Sequence, residues 1–176
     1  AAGVDDVRAG KLKLKQLMKA LKKFKGPKSK KIPVNRAMLL MVKALLDLSD
    51  PIQATIWASV IFQFHLMGRS AEALAKLEGG KFDLDKVFRR LSIRFFLQDQ
   101  EIFSNFLLAD SLKAKFAATK CGGGELRVLW ALHHELCPVW AVANMFILTP
   151  SVLSQQALFA WPKGSGKTSE GVTYSE

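Results

Sequence analysis

Two residues in this chain of 176 stand where a side chain could act on a phosphate, Arg69 and Lys120. Arg69 follows an apolar stretch, residues 49–74 (SDPIQATIWASVIFQFHLMGRSAEAL), that reads as a long buried helix stopping at Gly68. A new helix start at Ser70, with Glu72 just beyond, puts the arginine at a helix–helix corner. Such a corner can fix a guanidinium, and a planar fork of donors suits the charge that develops on a phosphodiester under attack. The plainer reading is a surface arginine in a turn. Lys120 ends a strand-like segment, LKAKFAATK, just before Cys121 and a run of glycines. A lysine at a mobile β-turn can reach into a phosphate as proton donor or electrostatic stabiliser. Turns are rich in lysine, so this position alone says little.

Other chemistry-bearing residues carry less. GSGKTS at 164–169 invites a phosphate-loop reading, but that pattern needs a glycine at 161, where Trp161 stands, and no strand leads directly into it. His133, His134, Glu135 and Cys137 are close in sequence. Adjacent histidines on a strand would point to opposite faces, and no second ligand cluster exists, so no metal is expected. His65, inside the apolar helix, reads as a satisfied core histidine. Cys121 and Cys137 give neither a disulfide framework nor metal-ligand spacing, which makes a reducing compartment the default.

The elements that must position Arg69 and Lys120 follow from periodicity. Residues 11–25 carry Leu14, Leu17, Met18, Leu21 and Phe24 at helical spacing with lysines on the other faces, a basic amphipathic helix. Gly26-Pro27 ends it, and GPKSKKIP reads as an extended, positively charged linker. A helix is expected over 35–48. Asp50 as N-cap and Pro51 at the first helical position start the long apolar helix. A further helix is expected over 70–77, ended by Gly79-Gly80. Residues 81–111 mix charges with aromatics and fit a short strand followed by helix or irregular structure. LKAKFAATK and ELRVLWAL around the glycines read as a β-hairpin, since glycine accepts the positive φ of a tight turn. Pro138 opens another apolar helix, PVWAVANMFIL, closed near Thr149-Pro150, and the tail from Pro162 reads as loop.

Charge is divided unevenly. The formal net charge is +11, and residues 1–31 hold ten lysines and Arg8 against Asp5 and Asp6, +9 of that total. The remaining residues therefore carry about +2. This asymmetry points to a polyanion met by the N-terminal arm, nucleic acid or an anionic membrane surface; a solvated lysine-rich face is the bland alternative. The longest apolar run, residues 54–67, includes Gln63 and His65 and is too short to span a bilayer. No signal peptide is visible, and a soluble protein in a reducing compartment is expected, nuclear or cytoplasmic. The sequence starts without methionine and stops in a polar stretch, so a fragment is expected.

In this order the elements resemble a family, the tyrosine recombinases (phage-integrase-type DNA breaking–rejoining enzymes), and within it those of DIRS-type and Crypton-type mobile elements. Lys30-Lys31-Ile32-Pro33-Val34 resembles the linker into the catalytic domain. FHLMGRSAEAL resembles the first-arginine box, with Arg69 and Glu72 in its Arg-x-x-Glu. FAATKCGGGELRV resembles the hairpin that presents the catalytic lysine, here Lys120. Cys137-Pro138-Val139, followed by Leu158-Phe159, resembles the helix and Leu-Phe of the element-borne enzymes. The likeness covers about residues 28–160.

It implies a mainly α fold with a small β-hairpin, the N-terminal half of a DNA breaking–rejoining catalytic core. Residues 1–26 would be the last helix of a core-binding domain, 27–34 the linker and 35–176 a partial catalytic domain. It implies attack of a tyrosine hydroxyl on DNA to give a 3′-phosphotyrosyl intermediate and a free 5′-hydroxyl, without cofactor. Arg69 would stabilise the phosphate, Lys120 protonate the leaving oxygen, and Glu72 support the arginine. Lys22, Lys23, Lys25, Lys28, Lys30 and Lys31 would grip double-stranded DNA, on which a homo-oligomer could assemble, away from membranes. The family also needs a His-x-x-Arg box and a nucleophilic tyrosine. No arginine follows Arg127, and the only tyrosine, Tyr174, precedes where that box would sit. Strand exchange by these residues alone is therefore not expected. The alternatives are a domesticated, non-catalytic DNA-binding or scaffold relative, and a protein whose basic helix binds an anionic membrane.

Overall fold

The computed structural model describes residues 33–66, 75–78, 81–82, 88–115, 125–162, 169–171 and 173–174. The chain divides into two compact units, Ala1–Met38 and Leu39–Glu176. The expected basic helix over 1–26 lies outside the described residues, as does the linker apart from Pro33 and Val34.

Three helices are described: α1 (Arg36–Ala44), α2 (Pro51–Leu66) and α3 (Pro138–Leu148). Each starts where a side chain can satisfy an orphan amide. Asn35 Oδ1 accepts from the Met38 N–H at 3.0 Å. Asp50 Oδ1 accepts from the Gln53 N–H at 2.8 Å, with Pro51 where no donor is needed. Cys137 Sγ accepts from the Trp140 N–H at 3.4 Å, again ahead of a proline. In α2, Ala54, Trp57, Ala58, Ile61, Phe62 and Leu66 are buried around most of the helix. Its buried hydroxyls stay paired within the helix, Thr55 to the Pro51 carbonyl and Ser59 to that of Ile56.

The main sheet has four antiparallel strands, β3 (Ile93–Leu97), β4 (Gln100–Ile102), β5 (Ser111–Lys115) and β6 (Leu126–Trp130), in the order β4-β3-β5-β6. The expected hairpin is present as β5 and β6, with Leu112 opposite Leu129 and Lys113 opposite Val128. The sheet is larger than that hairpin, because β3 and β4 add a second one. Gln98 and Asp99 form its two-residue turn with φ of 50° and 63°, the both-positive signature of a type I′ turn. The Asp110 carboxylate accepts from the Gln98 N–H at 2.6 Å and holds that backbone in place without a glycine. Among the described residues the architecture is therefore mixed α/β, with three helices and a four-stranded antiparallel sheet.

Period-2 alternation turns Ile93, Phe95, Leu112, Ala114 and Leu129 inward, where they join α2 and α3 in one continuous core. Two aromatic groups knit it together. Phe62 meets Phe88 and Phe159 edge-on at 5.7 and 5.5 Å, and Phe95, Phe106 and Phe146 form a triangle of rings. On the outer face Arg94 pairs with Glu101 at 3.1 Å, and Lys113 lies 3.8 Å over the Phe96 ring.

Three expectations are corrected. The helix expected over 70–77 is overturned in its described part, because β1 (Ala75–Glu78) is extended. It has a partner on each side, β2 (Lys81–Phe82) antiparallel and β9 (Thr173–Tyr174) parallel, and two ladders outweigh the helix propensity of so short a segment. The tail is not all loop: β7 (Ala160–Pro162) pairs with β8 (Ser169–Gly171). Ser169 thus opens a strand, not the helix a phosphate loop would require. Finally, His133 and His134 lie past the end of β6, in the bend before α3.

Arg90 is the most unusual core residue. Only 6% exposed, it donates through Nη1 to the Thr149 carbonyl and, at 3.4 Å, to that of Val152, and lies 4.1 Å over the Phe146 ring. Burial pushes its guanidinium down to about 10, which still leaves it charged at neutral pH. Removing it would take the charged donor from the Thr149 and Val152 carbonyls and leave that of Thr149 with the Val152 N–H. Arg90→Ala is expected to destabilise the fold by about 2–4 kcal/mol. Arg90→Lys should recover only part of this, since a point charge cannot reproduce the planar fork. Urea denaturation of the three proteins measures both effects.

Candidate functional site

The proposed catalytic pair, Arg69 and Lys120, and the supporting Glu72 lie outside the described residues. So do Lys22, Lys23, Lys25, Lys28, Lys30 and Lys31. Their flanking elements are described. The helix leading to Arg69, α2, ends at Leu66, and the strands on either side of Lys120 end at Lys115 and begin at Leu126.

These flanks are joined. Arg127, on β6, donates from Nη1 to the carbonyl of Leu66, the last residue of α2, at 2.8 Å. A cation near the C-terminal end of a helix opposes the negative end of its dipole. Glu125 holds the other side of the guanidinium through a paired contact, Nε to Oε1 at 2.9 Å and Nη2 to Oε2 at 3.2 Å. That contact lowers the Glu125 carboxyl below its usual range.

Next to the helix end, His65 Nε2 is hydrogen-bonded to the Leu136 carbonyl at 2.9 Å, consistent with a satisfied, part-buried histidine. The Leu136 N–H in turn donates to His134 Nδ1 at 3.1 Å, and the Leu132 N–H to Cys137 Sγ at 3.2 Å. The bend from 131 to 137 is thus folded back on itself by two side-chain acceptors. The end of α2 is tied both to β6 and to the loop that starts α3.

A groove of about 720 Å³ opens beside this bend, lined among others by Lys43, Leu107, Leu108, Trp130, His133 and Trp140. Lys43 and Glu135 pair across its edge at 3.2 Å. Its indole rings and leucines offer contact area, while the Cys137 sulfur within it is occupied by backbone donors. Sequence reasoning misses this groove, and the one signal for it is Trp130 as the third outward member of an alternating strand. Among the described residues, no group of three or more His, Cys, Asp or Glu side chains could hold a metal ion. Among them, too, no helix is long and apolar enough to cross a membrane.

The His65 contact makes stability depend on pH. Burial, first, and the neighbouring His134 lower its pKa below the ordinary 6.5, against the raising effect of the Leu136 hydrogen bond. The folded state therefore holds a proton on His65 less tightly than the unfolded chain does. Stability from this residue is full above about 6.5 and is lost as the pH falls from there through the lowered folded value. Denaturant midpoints measured from neutral to mildly acidic pH should fall in the wild type, and more shallowly in His65→Gln.

No protein-family model, no curated protein and no solved structure matches the chain.

Proposed function

We propose that the chain is a partial catalytic domain of the tyrosine-recombinase type behind a basic arm, and that it binds double-stranded DNA in recombination or integration. The observation that carries this reading is the hydrogen bond between Arg127 and the Leu66 carbonyl. It joins the helix that runs toward Arg69 to the hairpin whose connection holds Lys120. An arginine and a lysine that act on one phosphate must be held by elements that meet, and these do. The element order supports it as well: an apolar helix, an antiparallel sheet, then a helix opened by Cys137-Pro138.

In this reading Arg69 spreads its donors over the non-bridging phosphate oxygens as charge builds up in the transition state. Lys120 gives a proton to the departing 5′ oxygen. The lysines of the arm neutralise backbone phosphates, which sets register on the duplex without reading sequence. The nucleophile and the second arginine have no counterpart in these residues, since no arginine follows Arg127 and Tyr174 belongs to a short strand paired with β1. A second reading is that the domain binds DNA as a scaffold without cutting it, which loss of those residues from the full-length protein would favour.

Duplex binding by the 176-residue chain, titrated with salt, tests the proposal. The logarithm of affinity should fall steeply and linearly with the logarithm of salt concentration. Replacing Lys22, Lys23 and Lys25 by glutamine should reduce the slope by about 0.9 for each phosphate left unneutralised. Arg69→Ala should leave most of the affinity. Tighter binding to anionic vesicles than to duplex, with no such slope, would replace this reading by the membrane-surface one. The two recombination readings separate in a protein extended to include a His-x-x-Arg box and tyrosine. There Arg69→Ala should abolish a 3′-phosphotyrosyl adduct that the unmodified protein forms.

A further inference from the structure

We propose that β6 is the seam of a two-fold dimer, in which its free edge pairs antiparallel with β6 of a second copy of this chain. Strand order leaves β6 at the edge of the sheet. Its outward side chains are apolar throughout, with Leu126 60%, Val128 39% and Trp130 62% exposed. Edge strands are ordinarily protected by charge, proline or a bulge, because their unpaired amides and carbonyls recruit other strands. Here Leu126, Val128 and Trp130 form an unbroken apolar row with none of these devices on that face.

The ladder decides which backbone groups point to the edge. The Ala131 N–H donates to the Asp110 carbonyl, so in this register the groups of residues 127 and 129 face β5. Those of 126, 128 and 130 face outward. The residues with outward backbone groups are thus the same three that carry the exposed apolar side chains. A two-fold axis at Val128 turns this into a self-complementary seam. Val128 meets Val128 of the second copy as a hydrogen-bonded pair, and Leu126 meets Trp130 in both directions. On the other face Arg127 stands opposite Leu129, so no like charges oppose each other. Aromatic–aliphatic cross-strand pairs are favourable, and an isologous contact closes at two copies without growing further. The sheet becomes eight strands, two copies of four. This holds whether or not the chain acts on DNA.

Sedimentation of the full chain over a wide concentration series tests this, together with two variants. The wild type should show a reversible monomer–dimer equilibrium. Val128→Cys should give a reducible cross-linked dimer on mild oxidation, in excess of the background from the native Cys121 and Cys137. Opposed Cα atoms in a hydrogen-bonded antiparallel pair are about 5.5 Å apart, a span a disulfide bridges. Val128→Lys should abolish the dimer by setting two ammonium groups face to face, with its circular dichroism unchanged because the site is on the surface. A wild type that stays monomeric across the series overturns the proposal, whether its edge is bare or covered by another part of its own chain. So does a dimer that survives Val128→Lys and gives no Val128→Cys cross-link, since its interface would lie elsewhere.

Discussion

A charged guanidinium buried against the Phe146 ring, with carbonyl oxygens as its hydrogen-bond partners, is the constraint on which the rest of this fold depends. Arg90 leaves the short turn before β3 and reaches the end of α3, where helix geometry abandons its last carbonyls. Isolated burial of a charge is costly. Three things offset it here: the carbonyl of Thr149, that of Val152 and the face of Phe146. The negative end of the α3 dipole adds to them. The arrangement works in one geometry only, so it fixes the relative positions of α3, the turn entering the sheet and the segment after the helix. Two backbone bonds from the same turn, Arg90 N–H to Gln156 and Leu91 N–H to Ser154, lock that segment further.

From this anchor the other contacts follow in sequence. With α3 fixed, its start is fixed too, and the bend from 131 to 137 must close onto it. Cys137 serves that closure twice, taking the Leu132 amide on one side and the Trp140 amide on the other. The same bend offers the Leu136 carbonyl to His65, so the far end of α2 is placed relative to α3. Arg127 then places that end relative to β6. The residues flanking both candidate catalytic positions are therefore held by a polar chain that begins at the opposite end of α3.

Legibility in the sequence tracks the range of the forces involved. α2 and α3 are readable because their signals are local: Asp50-Pro51 and Pro138 open apolar runs long enough for one interpretation. The β5–β6 pair is readable from alternation around a glycine run. The β3–β4 hairpin is not, because its turn uses Gln98 and Asp99, and the Gln98 amide is held by a distant carboxylate, Asp110. β1 reads as helix for the same kind of reason. Its extended form depends on β2 and on β9, almost a hundred residues downstream. Arg90 sits in a mixed run of charges and aromatics, where nothing local distinguishes it from its neighbour Arg89. At the candidate site, residue types and spacing draw attention to Arg69 and Lys120, but the contacts that join their flanks come from Arg127 and His65. In the sequence the first is simply part of a strand and the second part of the core.

On the proposed reading, the distribution of charge separates holding the fold from gripping a partner. Residues 1–31 carry +9 of the net +11, leaving the rest of the chain close to neutral. Outside the arm, several basic groups already have partners: Arg94 with Glu101, Lys43 with Glu135, Arg127 with Glu125, Lys113 with the Phe96 ring and Arg90 with carbonyls. A near-neutral body experiences little self-repulsion, so added salt has little to relieve within it, whereas a dense run of lysines on a polyanion releases counterions and weakens with salt. If the arm binds a polyanion as proposed, ionic strength acts on affinity far more than on folding.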